Sequence, residues 1–275
     1  MYFACLFVIL WQERIKQRTM KHFNLTAWLL LLCLPAVVSP AWGRPKWKLV
    51  WKEDFKGKTI DESVWSRVPK GPSDWDDMMS LRPDLAYVEK GQLVLLGKAD
   101  GTSFVTGGIC SAGKKSFRLA RFEIRAKFNH AQGFWPALWL MPDTPLQSPN
   151  YAEIDIMEHV NFESIVHQTV HSHFTLHLDK EKTLPQSIEA KFKADDWNTY
   201  AAEVHEDSIC FFVNDRKTLT YPRLQEKEYQ FPWADCPFYI ILSNQLGGHW
   251  VGPISKPEQL PSELRIDWRK VYEKR

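Results

Sequence analysis

Arg121-Phe122-Glu123-Ile124-Arg125-Ala126-Lys127-Phe128 is the stretch of sequence that decides the fold. Apolar residues alternate strictly with charged ones along it. Side chains in a strand alternate between two faces, so the four apolar residues share one face and the four charged residues the other. This pattern predicts a half-buried antiparallel strand.

Similar alternation recurs elsewhere in the chain. It runs through Gln92–Leu96, Tyr200–His205, Ile209–Val213, Phe238–Leu242 and Leu264–Trp268. Asn214-Asp215 predicts a hairpin turn between two of these strands. No segment shows convincing helical periodicity. Many short strands separated by Pro- and Gly-rich turns predict an all-β sandwich of two antiparallel sheets.

Composition limits the domain count and the partners. The chain has 275 residues, of which 44% are hydrophobic and 25% charged, enough for one substantial core. We predict a single catalytic domain over residues 44–275. The net charge of +2 favours neither nucleic acid nor a strongly acidic partner, and we expect a monomer.

The first 43 residues are typical of a leader with a signal peptide. Lys21-His22 precede an apolar run over residues 25–38, and Ala41-Trp42-Gly43 has small residues suited to cleavage. A signal peptide of ordinary proportions would begin at Met20, so we expect translation to start there. A secreted, periplasmic or cell-surface location is therefore expected.

The same apolar run is a poor membrane anchor. Pro35 and Pro40 interrupt it, and it is short for a membrane span. A lipid anchor on Cys33 is disfavoured because Leu32 stands where a small residue is expected. We therefore expect no stable membrane span.

Glu153-Ile154-Asp155-Ile156-Met157-Glu158 contains the candidate catalytic residues. In a regular strand Glu153 and Asp155 share a face, while Glu158 would point into the core with the isoleucines. One extra residue, most simply Met157 as a β-bulge, returns Glu158 to the face of the other acids.

Two carboxyl groups about 5–5.5 Å apart are the equipment of a retaining glycosidase. As a hypothesis, Glu153 is the nucleophile and Glu158 the general acid and base, its pKa raised by the neighbouring negative charges. Asp155 would hold Glu153 in place. The alternative is a solvated strand face that happens to be acidic.

An aromatic segment lies just upstream, Gly133-Phe134-Trp135-Pro136-Ala137-Leu138-Trp139-Leu140-Met141-Pro142. Period two places Trp135 and Trp139 on one face, where indole rings are natural platforms for sugars. The alternative is that both indoles belong to the core, which is common for tryptophan in a strand. We expect one of them to line the cleft.

Together these motifs resemble glycoside hydrolase family 16, specifically its bulge-containing, laminarinase-like branch. The resemblance extends from an opening Trp51-Lys52-Glu53-Asp54-Phe55, through Gly107-Gly108-Ile109, to a closing Ile266-Asp267-Trp268-Arg269-Lys270-Val271-Tyr272. It implies a concanavalin A-like jelly roll with a concave cleft, and endo-acting hydrolysis with net retention. Glu153, Asp155 and Glu158 match the nucleophile, helper and acid/base of the family.

The resemblance also bears on substrate and metal. Laminarinases carry an Asn-Leu-Ala-Val-Gly-Gly pattern followed by Pro-Gly, where this chain has Ser243-Asn244-Gln245-Leu246-Gly247-Gly248-His249-Trp250-Val251-Gly252. That departure favours the endo-β-galactosidases that act on poly-N-acetyllactosamine and mucin O-glycans over laminarinases. The family implies no catalytic cofactor. Asp54 and Asp267 match positions that hold a structural calcium in many members, and both are alternatively plain surface acids.

Several further residues are candidates for substrate binding. His171 and His173 fall on one face of a predicted strand over residues 167–177, where they would lie beside the carboxylates; ordinary surface histidines are the alternative, and a zinc site is disfavoured on a flat strand. Asn244, Gln245 and Trp250 lie at the end of an apolar strand. Trp75 lies in an early loop that is a candidate rim contact.

Two other function classes use similar residues. A carbohydrate-binding lectin has no need of three convergent carboxylates, and a transglycosylase would exclude water from the second step. Removal of the leader leaves Cys110, Cys210 and Cys236, an odd number that argues against a full disulfide framework but leaves one bridge open.

Overall fold

The computed structural model describes residues 47–144, 146–147 and 149–275. The predicted leader, with Met20 and Cys33, lies outside them. The described residues form seventeen strands: β1 (Trp47–Glu53), β2 (Ser66–Arg67), β3 (Ala86–Glu89), β4 (Gln92–Asp100), β5 (Ser103–Thr106), β6 (Gly108–Cys110), β7 (Ser116–Phe117), β8 (Ala120–Phe128), β9 (Phe134–Pro142), β10 (Ala152–Glu158), β11 (Ile165–Ser172), β12 (Ser187–Lys191), β13 (Asn198–Val204), β14 (Ser208–Val213), β15 (Arg216–Pro222), β16 (Phe238–Leu246) and β17 (Ser262–Lys274). Short helical turns cover Phe174–Leu178, Pro232–Ala234 and Pro257–Gln259.

The strands form two antiparallel sheets, which confirms the predicted sandwich. The back sheet has the order β15-β14-β13-β8-β17-β4-β3, with β1 added to β17 and β5 to β4. The cleft sheet has the order β12-β11-β10-β9-β16-β6-β2, with β7 added to β16. Strands β8 and β17 pair in the back sheet, although strands β9–β12 and β16, which lie between them in sequence, belong to the cleft sheet. The chain therefore crosses repeatedly between the two sheets.

Strand β8 shows why the sandwich forms. Phe122, Ile124 and Ala126 are fully buried, and the intervening charged residues are only partly exposed. These residues belong to one apolar cluster that also includes Leu138 and Ile154 of the cleft sheet. Burial of this shared layer between the sheets is the main stabilising contribution to the fold.

The predicted hairpin turn is also present. Asn214 and Asp215 join β14 to β15 with positive φ values of 49° and 62°. Such values are needed at both central residues of a tight hairpin turn, and Asn and Asp tolerate them well.

The predicted strand over residues 167–177 is wrong in its second half. β11 ends at Ser172, and a helical turn over Phe174–Leu178 follows. The Ser172 N–H donates to Thr175 Oγ1 and the Thr175 N–H to Ser172 Oγ, which closes the turn. Local hydroxyl-to-backbone bonding of this kind competes with a strand ladder.

Among the described residues, no helix is long and apolar enough to span a membrane.

Candidate active site

The acids of β10 share one face because this strand carries a β-bulge. Opposite β9, Asp155 and Met157 pair with consecutive residues, so Ile156 is the extra one. The register with β11 shifts at the same place. The shift returns Glu158 to the face of Glu153 and Asp155, as predicted, although the extra residue is Ile156 and not the predicted Met157.

The bulge is held by a side chain that sequence reasoning missed. Gln168 is fully buried on β11, and its Nε2 donates to the Ile156 carbonyl oxygen at 2.8 Å. A bulge leaves a backbone group without a ladder partner, so this bond replaces the missing one. The side chains of Ile156 and Met157 are meanwhile fully buried in the core. Nothing in the sequence around this single glutamine indicates that it stabilises a bulge on the neighbouring strand.

The three acids line one cavity of about 280 Å³ in the cleft sheet. Its other lining residues are mostly aromatic or polar: Ser73, Trp75, Trp135, Ala137, Trp139, Met141, Tyr151, Tyr239, Ile241 and Gln245. A cavity of this character, with apolar platforms and convergent acids, is suited to a sugar ring.

Glu153 is held on both its side chain and its backbone. The Tyr151 hydroxyl donates to Glu153 Oε2, and the Trp233 indole N–H donates to the Glu153 carbonyl oxygen at 3.1 Å. Burial and the charge of Glu153 raise the pKa of Tyr151, so its hydroxyl stays protonated and remains a donor. Tyr151 was missed, although it stands two residues before Glu153 and therefore on the same strand face.

Asp155 is buried and is 2% exposed. Burial, followed by the charges of Glu158 and Glu153, raises its pKa well above the usual range. This rise favours the protonated form of Asp155, which lies in hydrogen-bonding range of Glu153. A protonated carboxyl can donate to Glu153 without adding a second charge.

His171 lies beside these acids, as predicted. It pairs across the strands with Glu153, and its Nε2 lies 3.4 Å from Asp155 Oδ2. Burial lowers the pKa of His171, so the imidazole is neutral. One carboxyl oxygen each of Glu153 and Asp155 and one imidazole nitrogen of His171 all lie within 4.8 Å of one another.

Glu158 has a different environment from Glu153. Burial raises its pKa to about 7, and the charge of Glu153 acts in the same direction. The Trp135 indole N–H donates to Glu158 Oε1 at 2.9 Å, which favours the carboxylate and partly opposes that rise. The sequence hypothesis attributed the raised pKa to neighbouring charge, whereas burial is the larger cause. Glu158 can thus both hold and release a proton near neutral pH.

Four tryptophans predicted to contact substrate lie at or beside the cavity. Trp135, Trp75 and Trp139 line it. Trp139 is only 6% exposed, packs edge-on against Trp75 at 4.8 Å between centroids, and donates to Ser243 Oγ. Trp250 is 47% exposed and packs edge-on against Trp135 at 5.3 Å. Trp139 therefore supports the floor, while Trp250 offers a ring at the rim.

Asn244 is a correction to the predicted substrate contacts. It is fully buried, and its Nδ2 donates to Ser262 Oγ at 3.1 Å, on the side of β16 that faces the back sheet. Its neighbour Gln245 lines the cavity. Consecutive residues in a strand point to opposite faces, so only one of the two can face substrate.

His173 is a second correction. It lies just beyond the end of β11, at the start of the helical turn, and packs against His177 and Tyr229 at 4.9 and 5.5 Å between ring centroids. The strand stops before His173, so the alternation that would have placed it beside the acids no longer applies.

The predicted calcium ligands, Asp54 and Asp267, are each paired with cationic side chains. Asp54 pairs with Lys52 at 3.0 Å and with Lys56 at 3.2 Å, while Asp267 pairs with Arg125. Each carboxylate already has a cationic partner, so the surface-acid interpretation fits both better. The three cysteines 110, 210 and 236 are free, which answers the open question of their pairing.

Two loops at the rim are joined by a contact that sequence reasoning did not find. Asp74 Oδ2 accepts hydrogen bonds from the His249 backbone N–H at 2.7 Å and lies 2.6 Å from His249 Nδ1. The bond connects the loop of Trp75 to the loop of Trp250. The loops that carry Trp75 and Trp250 therefore hold each other in position.

Comparison with known proteins agrees with this geometry. The family model described as glycosyl hydrolases family 16 matches residues 78–270. A keratan-sulfate endo-1,4-beta-galactosidase from Sphingobacterium multivorum is 32% identical over 235 residues, covering 82% of this chain and 55% of that protein. The chain thus spans about half the length of that relative.

Two solved structures are similar as well. The laminarinase from Rhodothermus marinus has a TM-score of 0.75 and 28% identity, covering 84% of this chain and 99% of that one. A structure from work on endo-acting O-glycanases with which members of the human gut microbiota initiate mucin breakdown has a TM-score of 0.72 and 27% identity, covering 82% and 98%. The predicted jelly roll is confirmed by these neighbours.

Proposed function

The chain belongs to glycosyl hydrolase family 16, and from that premise we propose that it is an endo-acting, retaining β-glycosidase of poly-N-acetyllactosamine or mucin O-glycans. The reaction class follows from the family. The preference for internal β-galactosides is the finer part of the proposal, as are the roles of individual residues.

The observation that carries the mechanism is the contrast between two glutamates in one cavity. Glu153 accepts a hydrogen bond from Tyr151, which stabilises its carboxylate. Glu158 is buried with a pKa of about 7, so it is available as an acid. Environments that separate two carboxyl groups in this way assign one as nucleophile and the other as proton donor.

The reaction then proceeds in two steps. Glu153 attacks the anomeric carbon while Glu158 passes its proton to the departing glycosidic oxygen, which leaves a covalent glycosyl-enzyme. Glu158, now a carboxylate, takes a proton from water as that water displaces Glu153. Two inversions give net retention. Asp155, whose protonated form is favoured by burial, orients Glu153 for both displacements.

Support for a galactoside comes from two relatives and one loop. The keratan-sulfate endo-1,4-beta-galactosidase and the O-glycanase structure are among the similar proteins. The rim loop with Gly247-Gly248-His249-Trp250 departs in sequence from the laminarinase pattern, and its His249 is hydrogen-bonded to Asp74. A loop of different shape at the rim changes which sugar substituents fit beside Trp250.

An endo-1,3-β-glucanase is the second candidate. The laminarinase of Rhodothermus marinus is similar to this chain over nearly its whole length, at the TM-score given above. The acids and the tryptophan platforms would serve a glucan equally well, because they contact the reacting bond and the ring faces rather than the configuration at each hydroxyl.

A substrate panel tests the proposal. Purified protein is incubated with poly-N-acetyllactosamine, keratan sulfate, mucin O-glycans, laminarin, mixed-linkage glucan and agarose, and the products are sized. We expect internal cleavage of the lactosamine polymers. Cleavage of laminarin alone would overturn the galactoside preference in favour of the glucanase.

Two controls accompany the panel. Glu153→Gln should abolish cleavage, while Glu181→Gln, which changes an exposed glutamate after β11, should retain it. The first product released should keep the β configuration when followed by proton NMR; an α product would contradict the retaining mechanism. Products longer than the starting glycan would show transglycosylation.

A further inference from the structure

A second group of chemically reactive side chains lies on the back sheet, away from the acids. Glu203 of β13 is directly opposite Cys210 of β14 in the strand register. His205 follows Glu203 by two residues and therefore lies on the same face. Their donor atoms, a carboxylate oxygen, an imidazole nitrogen and a thiol sulfur, all lie within 4.8 Å of one another.

We propose that Glu203, His205 and Cys210 form a zinc-binding site on the back sheet, distinct from the glycosidase cleft. Three protein ligands leave the fourth position of a tetrahedral ion to water.

The donor set fits zinc better than calcium or magnesium. A thiolate and an imidazole are the ligands preferred by borderline-soft divalent ions, and carboxylate oxygen completes such sites. Bonds of about 2.0–2.3 Å at tetrahedral angles separate ligand atoms by roughly 3.5 Å. His205 Nε2 and Glu203 Oε2 are already 3.1 Å apart, so binding needs only small movements, mainly of Cys210.

The strand geometry places the ligands without loop rearrangement. Glu203 near the end of β13 and His205 one residue beyond it converge with Cys210, which is directly opposite Glu203, on one point above the sheet. The His205 N–H donates to the Ser208 carbonyl oxygen, so the strand pairing continues to His205. The side chains of Glu203 and His205 are 13% and 12% exposed, and Cys210 is 5% exposed. Trp47 packs against the His205 ring at 5.7 Å between centroids and limits its movement.

Neighbouring cations restrict the site but leave it open. Arg121 Nη1 donates to Glu203 Oε1 at 2.8 Å, so the other carboxylate oxygen, Oε2, remains directed at His205. Lys217 Nζ lies 3.5 Å from Cys210 Sγ, but Lys217 is an exposed residue of β15 and can move into solvent.

Metal binding at this site competes with protons. A zinc ion requires the Cys210 thiolate and the neutral imidazole of His205, so binding should weaken as the pH falls.

The test measures zinc binding to the full chain after removal of metals with a chelator. Calorimetry with zinc chloride should give one site, and cobalt chloride should produce a sulfur-to-cobalt charge-transfer band in the near ultraviolet. Zinc at a hundred times its Kd should raise Tm by about 5–10 °C. Absence of binding, or binding of cobalt without the sulfur band, would overturn the proposal.

Matched variants locate the site. Cys210→Ser and His205→Gln should each weaken zinc binding by more than the roughly 10–100-fold typical of outer-shell changes. Cys236→Ser, which changes another buried free cysteine, should bind zinc as the parent protein does. Glu153→Gln should also retain binding. Loss of binding in Glu153→Gln with retention in Cys210→Ser would move the ion to the cleft and contradict the proposal.

Discussion

At the scale of single residues, burial rather than charge alone decides how the carboxyl groups behave. Asp155 and Glu158 are both enclosed, and burial is the largest cause of the raised pKa of each. Glu153 instead accepts a bond from the Tyr151 hydroxyl. Three acids of nearly identical chemistry therefore acquire three roles from their immediate contacts.

Replacing Asp155 with Asn should affect rate far more than stability. Burial favours the protonated form of the native carboxyl, and an amide has nearly the same shape, but the amide donates a weaker hydrogen bond to Glu153. We expect kcat to fall on the order of 100-fold, with Tm changed by about 2 °C or less. Steady-state kinetics and thermal unfolding check both, with the surface change Asp54→Asn as control. A large fall in Tm with unchanged kcat would contradict the assigned role.

The alkaline limb of the pH profile reports on Glu158. Activity requires the protonated acid, so kcat/KM should fall as the pH rises through about 7. The Trp135 N–H stabilises the carboxylate, hence Trp135→Phe should raise this pKa and move the limb upward by roughly one pH unit. Trp139→Phe is the control, because its indole donates to Ser243 instead. A limb that stays in place or moves downward in Trp135→Phe would refute the assignment.

At the scale of elements, the bulge in β10 and the glutamine of β11 act together. The extra residue reverses which face the following side chains point to. Gln168 donates a hydrogen bond to the Ile156 carbonyl oxygen and so stabilises the bulge. The apolar side chains of Ile156 and Met157 both remain buried. The spacing of the acids is thus a property of strand register, which a change in chain length alters more than a substitution does.

Changes of chain length in β10 should separate register from chemistry. Inserting one alanine after Met157 would turn the Glu158 side chain into the core if the bulge persists. If the strand instead becomes regular, Glu158 faces the cleft but lies about two strand steps, ~6.6 Å, further from Glu153. We expect activity below detection in either case. Deleting Met157 would leave regular alternation with all three acids still facing the cleft, and some activity should remain. Deletion also removes a buried methionine, at a cost of about 2–5 kcal/mol. Circular dichroism establishes folding, and an active insertion variant would contradict this account.

At the scale of the whole molecule, the two sheets of the sandwich carry different groups of reactive side chains. The cleft sheet holds the acids and the aromatic platforms, and the back sheet holds the Glu203, His205 and Cys210 group. The apolar layer between the sheets includes residues of both, so each sheet supports the other. Within the described residues, stability comes from this layer without a disulfide.

Reducing agents should therefore leave the folded domain unchanged. Because Cys110, Cys210 and Cys236 are free thiols, Tm should agree within about 1 °C with and without dithiothreitol, in the presence of a chelator to exclude metal effects. Differential scanning calorimetry makes the comparison. A drop of several degrees on reduction would show that a disulfide forms in the protein and would contradict the described thiol state.

The amino-acid sequence by itself determined the sandwich, the bulge and the identity of the three acids. These features are local: strict alternation in β8 specifies a face, and the phase of Glu158 specifies one extra residue. Tertiary structure alone decided the rest. Which of Asn244 and Gln245 faces the cavity, where β11 stops before His173, and which side chains bond the acids all depend on strand pairing. Contacts between residues distant in sequence arise only after the sheets have packed, and no local pattern encodes them.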